Sequence, residues 1–511
     1  MRLMIAGGGG FRVPLVYRAL VSGPFAGLVS ELVLFDVDPD RLSAIAAVLR
    51  AMPTPAMPTP DGGAAAGGGA PDGGTHLTAR PPAVRTTTSL PDALRGTDLV
   101  FAAIRPGGTA GRVADERVAQ DLGLLGQETT GAGGISYALR TIPEMLDLAR
   151  HMRELCPDAW LINFTNPAGM VTEALVPVLG RKVIGICDSA GGLVHRAARA
   201  AGLSLPEGRL DGVGYYGLNH LGWLYRLESG GRDLLPGLLA NPAALASFEE
   251  GRLFPQPFLA ELGALPNEYL YYYYQRDRAA AAMRALAVTR GESIRLQQAE
   301  LYPRLAASGA DAYRLWDAAR RSREEGYLAE ARTHGEQRDE ADLAGGGYER
   351  VALAVMRALA GGSSGGSSGA APGASPGAGD TQLILNTPNT LPAGPAGPTR
   401  PAGASPAREA PPKPAIPGLP ADAVVEVPCT VTPDGAAPLP QSAPTAEQLA
   451  LLRRVKEVEQ LTVRAATHGD RAAAVEAFSR HPLVDSADLG AALLAGYEHA
   501  FPALGALWRQ E

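Results

Sequence analysis

The chain has 511 residues, 46% of them hydrophobic, and a formal net charge of −7, enough to bury a large core in more than one domain. It carries no block of Lys or Arg, which argues against nucleic acid as a partner, and no run of about 18 apolar residues, which argues against a membrane span. Three scattered cysteines, Cys156, Cys187 and Cys429, do not make a disulfide framework. The apolar start of MRLMIAGGGG is too short for a secretory signal, so a soluble cytoplasmic protein is expected.

Residues 2–6 predict a buried strand, followed by Gly7, Gly8, Gly9 and Gly10 and a helical pattern from Val13 to Leu20. Strand, glycine turn and helix form the first part of a dinucleotide-binding unit, whose helix N-terminus holds a pyrophosphate. The same pattern also describes an ordinary tight turn, and Arg12 stands where the third glycine of GxGxxG belongs. The next strand, Glu31–Phe35, ends in Asp36, a residue type suited to the ribose hydroxyls of NAD and unfavourable to the extra phosphate of NADP. Residues 52–80 contain MPTPAMPTP and a low-complexity tract, read as a flexible insertion. A strand over Asp98–Ile104 ends at Arg105, which can fork onto phosphate or carboxylate, or serve in a surface ion pair. Gln127–Gly134 reads as a polar glycine-rich loop, a lid or an anion nest, before a helix from about Leu139 to Leu155.

Two apolar runs, Trp160–Asn163 and Val183–Cys187, predict buried parallel strands. Ligands of open α/β sheets bind at the carboxyl ends of such strands, which puts Asn163, Asn166, Cys187 and Asp188 at one rim. A thiolate and an imidazole can share a divalent metal, and Cys187 with His220 is the candidate pair. The alternative is that Cys187 is a small buried residue. His195 falls inside a helical pattern and is expected to be structural or exposed. From Leu221 the pattern changes to longer amphipathic helices, around Ser293–Leu305, Ala312–Glu330 and Tyr348–Leu359. The run Pro266-Asn-Glu-Tyr-Leu-Tyr-Tyr-Tyr-Tyr274 reads first as a packed helix face. Residues 361–380 and 391–420 are read as flexible insertions, Thr381–Asn386 and Ala423–Val427 as strands, and the C-terminal remainder as helices.

The segments GGGG, LVLFDVD, RPGG, GQETTGAGG, CPDAWLINFTNPAGMVTEA, GICDSA, GLNH, PNEYLYYYY and LILNTPN together resemble glycoside hydrolase family 4, and within it the 6-phospho-β-glucosidases. The resemblance implies an α/β fold: an NAD-binding Rossmann domain like that of lactate and malate dehydrogenases over 1–200, with a mixed α+β domain over 201–511. It implies NAD and a divalent metal, with Mn expected, as cofactors. The implied reaction oxidises the sugar at C3, removes the C2 proton, eliminates the aglycone, adds water and returns the hydride, an exception to two-carboxylate glycoside hydrolysis. Matched residue by residue, Cys187 and His220 would hold the metal, Asn166 would touch substrate, Tyr273 would be the C2 base, Asp188 would protonate the leaving oxygen, and Arg105 and Arg290 would take the sugar phosphate. Expected partners are a small phosphorylated glycoside and further copies of the chain, as a homodimer or homotetramer. Three segments depart from the family pattern: GGGG replaces GGGS, Cys187-Asp-Ser-Ala replaces Cys-Asn-Val-Pro or Cys-Asp-Met-Pro, and Tyr271 stands where an arginine precedes the tyrosines. The competing readings are an NAD-dependent hydroxy-acid or sugar dehydrogenase and a catalytically silent NAD-binding sensor.

Overall fold

A computed structural model describes residues 1–53, 80–327, 347–361, 380–392 and 412–509. The insertions read at 52–80 and 361–380 lie outside the described residues except at their ends. Six strands, β1 (Arg2–Ala6), β2 (Glu31–Phe35), β3 (Ala83–Thr87), β4 (Leu99–Ala102), β5 (Trp160–Asn163) and β6 (Val183–Gly185), pair in parallel in the order β3-β2-β1-β4-β5-β6. This is the doubly wound dinucleotide-binding order, in which successive strands are added outward in one direction from β1 to β3 and in the other from β4 to β6, so the strand order reverses between β1 and β4. Side chains alternate between its two faces. Leu3, Ile5, Leu32 and Leu34 join one apolar core with the helices Val13–Val21, Pro39–Ala51 and Tyr348–Leu359. Met4, Ala6 and Val33 join another with the helices Ala132–Leu155 and Ala446–His468.

The sheet does not stop at β6. The strands β7 (Val213–Leu218), β8 (Leu221–Ser229), β9 (Arg232–Asp233), β10 (Leu265–Pro266), β11 (Thr381–Pro388), β12 (Val424–Thr432) and β13 (Gly435–Pro438) continue it antiparallel, in the order β6-β11-β12-β7-β8-β10, with β13 on β12 and β9 on β8. Residues from the second half of the sequence are thereby added to the edge of the parallel sheet beside Cys187.

Three expectations are corrected. Residues from Leu221 form the nine-residue strand β8 rather than the start of a helical region, because Asn219 and His220 make a tight turn that folds it back onto β7. The helix read from Leu139 begins at Ala132 and takes in Gly133 and Gly134. Both glycines accommodate close approach of the preceding loop: a Cβ at Gly133 would fall 2.2 Å from Gln127 O, and one at Gly134 2.4 Å from Thr129 O. Within the insertion read at 391–420, residues 412–420 are packed, with Ile416 and Leu419 buried. The buried Asn389 holds them: its amide nitrogen donates to the carbonyls of Ile416, Leu419 and Pro420 (3.1–3.3 Å), and its oxygen accepts the Ile416 N–H at 2.7 Å. Composition marks that stretch as proline-rich loop, but one side chain satisfies its buried backbone groups. Asn389→Ala strands those groups and is expected to cost roughly 2–4 kcal/mol, read as a lower urea midpoint at unchanged slope; an unchanged midpoint contradicts this role.

Candidate active site

The glycine turn lies where the strand order reverses. Gly7 and Gly8 donate their N–H groups to Phe35 O at 3.0 and 2.7 Å, and Gly10 donates to Gly7 O at 2.9 Å. Gly9 N–H donates to the Asp36 carboxylate at 3.0 Å. Gly7 has φ +87°, and a Cβ there would sit 2.5 Å from Ala103 O, so only glycine lets β1 and β4 meet this closely. The turn is braced from outside by Tyr302, which donates to Gly9 O at 2.8 Å and lies under the Arg41 guanidinium. Beside Asp36 the apolar Val37 is 83% exposed, a residue the sequence reading left unassigned. A tight glycine turn, a carboxylate at the end of β2 and an uncovered apolar side chain next to it fit the pyrophosphate, ribose and adenine of a dinucleotide.

Cys187 follows β6, and His220 occupies the β7–β8 turn. Cys187 is buried; burial holds its thiol well above the ordinary range, and Glu426 and Asp188 push it the same way, while the Ser189 backbone N–H favours the thiolate. His220 has φ +65°, a conformation in which non-glycine residues are uncommon and tend to mark functional sites. It is buried, and burial lowers its pKa to about 3, so the imidazole is neutral and a lone pair is free for a metal. The sheet register brings the two segments toward each other. Asn386 on β11 pairs with Gly185, Glu426 on β12 pairs with Gly217, and both Asn386 and Asn219 donate to the same oxygen of Glu426, at 3.3 and 3.2 Å. Gly169 packs against Asn219, which sets the Asn166–Pro167 turn beside the histidine turn.

The Asn166 side-chain oxygen is buried without a hydrogen-bond partner, as expected of an atom that faces a ligand. Asn163, placed at the same rim by the sequence reading, is instead turned inward: its amide donates to Thr165 O, Ala168 O and Thr172 Oγ1 and accepts from Thr165 N–H. Among the described residues no group of three or more His, Cys, Asp and Glu side chains is gathered as a metal site. A thiol, a neutral imidazole and an unpartnered amide oxygen nonetheless form a donor set that fits a borderline divalent ion. His195 is exposed on the helix Ser189–Ala200, as its pattern suggests.

Arginines gather around Glu128, and one of them, Arg112, is shared with the buried Glu116 at 3.0 Å. Arg105 and Arg112 each bind Glu128 at 2.7 Å. Burial would raise the Glu128 carboxyl, but Arg105, Arg112, Arg290 and Arg323 override it and hold the group at about 2. Arg323 is lowered to about 9, first by burial and then by repulsion from Arg12, Arg290 and Arg112. One guanidinium nitrogen of Arg105 and Nε of Arg323 are buried without partners. Arg290 donates to Gly326 O and Arg323 O and lies over Tyr327, so it faces the cluster while bracing the Arg323 turn. Excess buried positive charge with unmet donors is a setting for an anion of more than one charge. Glu128 also acts on His220 and Tyr269, which puts the cluster within electrostatic reach of the candidate metal ligands.

The four consecutive tyrosines and Tyr269 occupy different settings. The Tyr273 hydroxyl lies 3.5 Å from His481 Nε2, on a small cavity that His220, Asn219 and Glu459 also line. Tyr269 stacks on His220, with ring centroids 3.7 Å apart and planes within 8°, and burial, followed by Glu268 and Cys187, pushes its phenol well above the ordinary range. Tyr269, Glu128, Arg112, Arg323 and Glu426 were not singled out by the sequence reading. Their roles come from packing between distant segments, although Glu128 and Tyr269 fall within the motifs quoted above.

The family 4 glycosyl hydrolase model matches residues 74–203, and the model of that family's C-terminal domain matches 215–366 and 410–484. Together they span more than half of the chain, which belongs to this family of glycosyl hydrolases. The 6-phospho-beta-glucosidase of Escherichia coli (strain K12) is 36% identical over 199 residues, 37% of this chain and 43% of that protein. The 6-phospho-alpha-glucosidase 1 of Lacticaseibacillus paracasei is 30% identical over 292 residues, 53% of this chain and 59% of that protein. The chain thus spans about half the length of the curated relatives it matches. Among solved structures, the 6-phospho-beta glucosidase from Thermotoga maritima, described with NAD and glucose-6-phosphate, superposes with a TM-score of 0.71 at 22% identity, covering 99% of each chain, and shares the fold.

Glu426 offers a test of the site's electrostatics. It is buried, and burial raises its carboxyl from 4.5 to about 7 despite hydrogen bonds from Asn219, Tyr215 and Asn386. The folded chain holds this proton more tightly than the unfolded one, so the associated stability is present at acid pH and is lost as pH rises through about 7. Glu426→Gln has no charge to bury and is expected to gain on the wild type between pH 5 and pH 8, by up to about 3 kcal/mol. A stability difference that does not change over this interval contradicts the assignment.

Proposed function

We propose that the chain hydrolyses 6-phosphoglucosides, with the β anomer as first choice, by redox-assisted elimination. The observation that carries this reading is the adjacency of two sites: the Cys187, His220 and Asn166 donor set, and the four guanidiniums around Glu128. The first suits a metal that polarises sugar hydroxyls and the second suits the dianionic phosphate of the same sugar, with the dinucleotide crevice alongside. The relatives named above act on both α and β phosphoglucosides. The β choice rests on the motif resemblance, since α relatives reach 35% identity against 36% for the β enzyme, and chemistry at C2 and C3 accommodates either anomer.

When bound, NAD would accept and return a hydride while the metal supplies Lewis acidity. The chain's own residues do the rest. Arg105, with its unmet guanidinium nitrogen, and Arg290 and Arg323 beside it, take the phosphate and fix the sugar's position. Cys187 and His220 would hold the metal, and Asn166, whose side-chain oxygen has no hydrogen-bond partner, would supply a further oxygen to the substrate or the ion. Tyr269 takes the C2 proton. It is preferred to Tyr273 because its ring lies flat on His220, a candidate metal ligand. Asp188, next to Cys187 and only part-buried, delivers a proton to the departing oxygen. A phosphorylated sugar does not cross membranes unaided, so this substrate class places the reaction in the cytoplasm, where a homodimer or homotetramer is the expected assembly.

The test is release of nitrophenol from 4-nitrophenyl β-glucoside 6-phosphate and its α anomer, with NAD and Mn each supplied or withheld. Release that requires both, without accumulation of NADH, is the expected result. Accumulating NADH identifies a dehydrogenase, and no release with NAD bound points first to an unphosphorylated or different sugar and second to a silent sensor. Arg105→Ala is expected to raise KM for the phosphorylated substrate at least about tenfold with little change in kcat, as removal of uniform binding does. An unchanged KM rules out Arg105 as a phosphate ligand.

A further inference from the structure

Three segments far apart in sequence meet at one carboxyl oxygen. Ser189, two residues after Cys187, donates its hydroxyl to Glu268 Oε1 at 2.5 Å. The Tyr327 hydroxyl lies 3.3 Å from the same oxygen and 3.2 Å from the Tyr269 hydroxyl. Glu268 is 4% exposed, and its second oxygen has no hydrogen-bond partner. A carboxyl group is costly to bury half-satisfied, and a neutral side chain would serve if the purpose were only to fill space. What this arrangement adds is a continuous hydrogen-bonded chain from the loop carrying Cys187, through Glu268 and Tyr327, to the phenol oxygen of Tyr269.

The stack on His220 fixes the plane of the Tyr269 ring but leaves it free to slide within that plane. A hydrogen bond at the phenol oxygen removes that freedom. We infer that Glu268 and Tyr327 are positioning residues that hold the Tyr269 phenol in register with the Cys187 loop, and that Ser189 is the anchor of this chain. The inference rests on the reading of Tyr269 as the C2 base and deepens it, because a base displaced by about 1 Å can lose about a hundredfold in rate.

The experiment compares Tyr327→Phe, Glu268→Ala, Glu268→Gln and Tyr269→Phe, each as the full chain with NAD and Mn, on whichever nitrophenyl glucoside 6-phosphate anomer the wild type hydrolyses. Tyr327→Phe and Glu268→Ala are expected to lower kcat at least about tenfold, with KM within about twofold. Their isotope effect on kcat with substrate deuterated at C2 should rise, since proton removal becomes slower relative to other steps. The melting temperatures of Tyr327→Phe and Glu268→Gln should match the wild type, whereas Glu268→Ala strands the Ser189 and Tyr327 hydroxyls and should melt lower, so its isotope effect is the deciding readout. Glu268→Gln, which keeps an oxygen acceptor, should recover most of the loss. A purely structural role would lower the melting temperature and leave the isotope effect unchanged, which overturns the inference. If Tyr269→Phe stays active, the base reading fails and this inference falls with it. If Tyr269→Phe is inactive while Tyr327→Phe and Glu268→Ala match the wild type, the base reading stands and only this inference is overturned. Should Tyr327→Phe fail to fold, Glu268→Gln against Glu268→Ala decides by the same readouts.

Discussion

The site depends on one buried carboxyl group. Glu426 accepts from Tyr215, Asn219 and Asn386, and these three contacts tie the histidine turn between β7 and β8 to the strands that continue the sheet from β6. A parallel sheet alone would present Cys187 at its rim and nothing to complement it. The antiparallel strands supply the complement, because pairing places Asn386 opposite Gly185 and Glu426 opposite Gly217. Glycine is needed at both places: a Cβ at Gly185 would meet Thr172 Oγ1 at 2.4 Å, and one at Gly217 would meet Gly222 Cα at 2.4 Å. A one-residue slip in this register would turn every side chain to the opposite face and separate the candidate ligands.

Charge is then sorted around this frame. On the Glu128 side the guanidiniums exceed the carboxylates, and the balance is left for an anion to supply. On the Cys187 side the surroundings are acidic, with Glu426 held by burial at about 7 and Glu268 pushed well above the ordinary carboxylate range by burial and then by Glu250. A cation lowers the cost of that acidity, which is the converse of what an anion does for the arginines. A substrate carrying both a phosphate and metal-binding hydroxyls therefore suits the two halves simultaneously. Neither half requires a carboxylate nucleophile.

Much of the parallel half was legible in the sequence, because β1, β2, β5 and β6 are apolar runs that end in glycine or polar residues, and because buried parallel strands carry that signature. Cys187, His220, Asn166 and Arg105 could be named from their motifs. The histidine's partner contacts could not, since Asn219 and Glu426 are 207 residues apart and meet only through strand pairing. Tyr269 was missed for a related reason: a run of aromatic residues has no periodicity to say which ring faces the site, and the stack on His220 is a tertiary contact. Glycines at 133 and 134 suggested a loop because they break helices in isolation, yet here they permit a close approach inside one. Asn389 reversed a compositional reading in the same way, by satisfying a proline-rich segment that would otherwise lack partners.

The central claim is that Cys187 and His220 share a metal ion beside the dinucleotide crevice. X-ray absorption at the metal edge of the Mn-loaded protein, under reducing conditions and with Cys187→Ser as the comparison, tests it most directly. The account predicts one sulfur and at least one imidazole in the first coordination shell of the wild type, with the sulfur absent from the variant. A shell of oxygen and nitrogen alone in the wild type, with Cys187 still open to a thiol reagent when metal is bound, would contradict it.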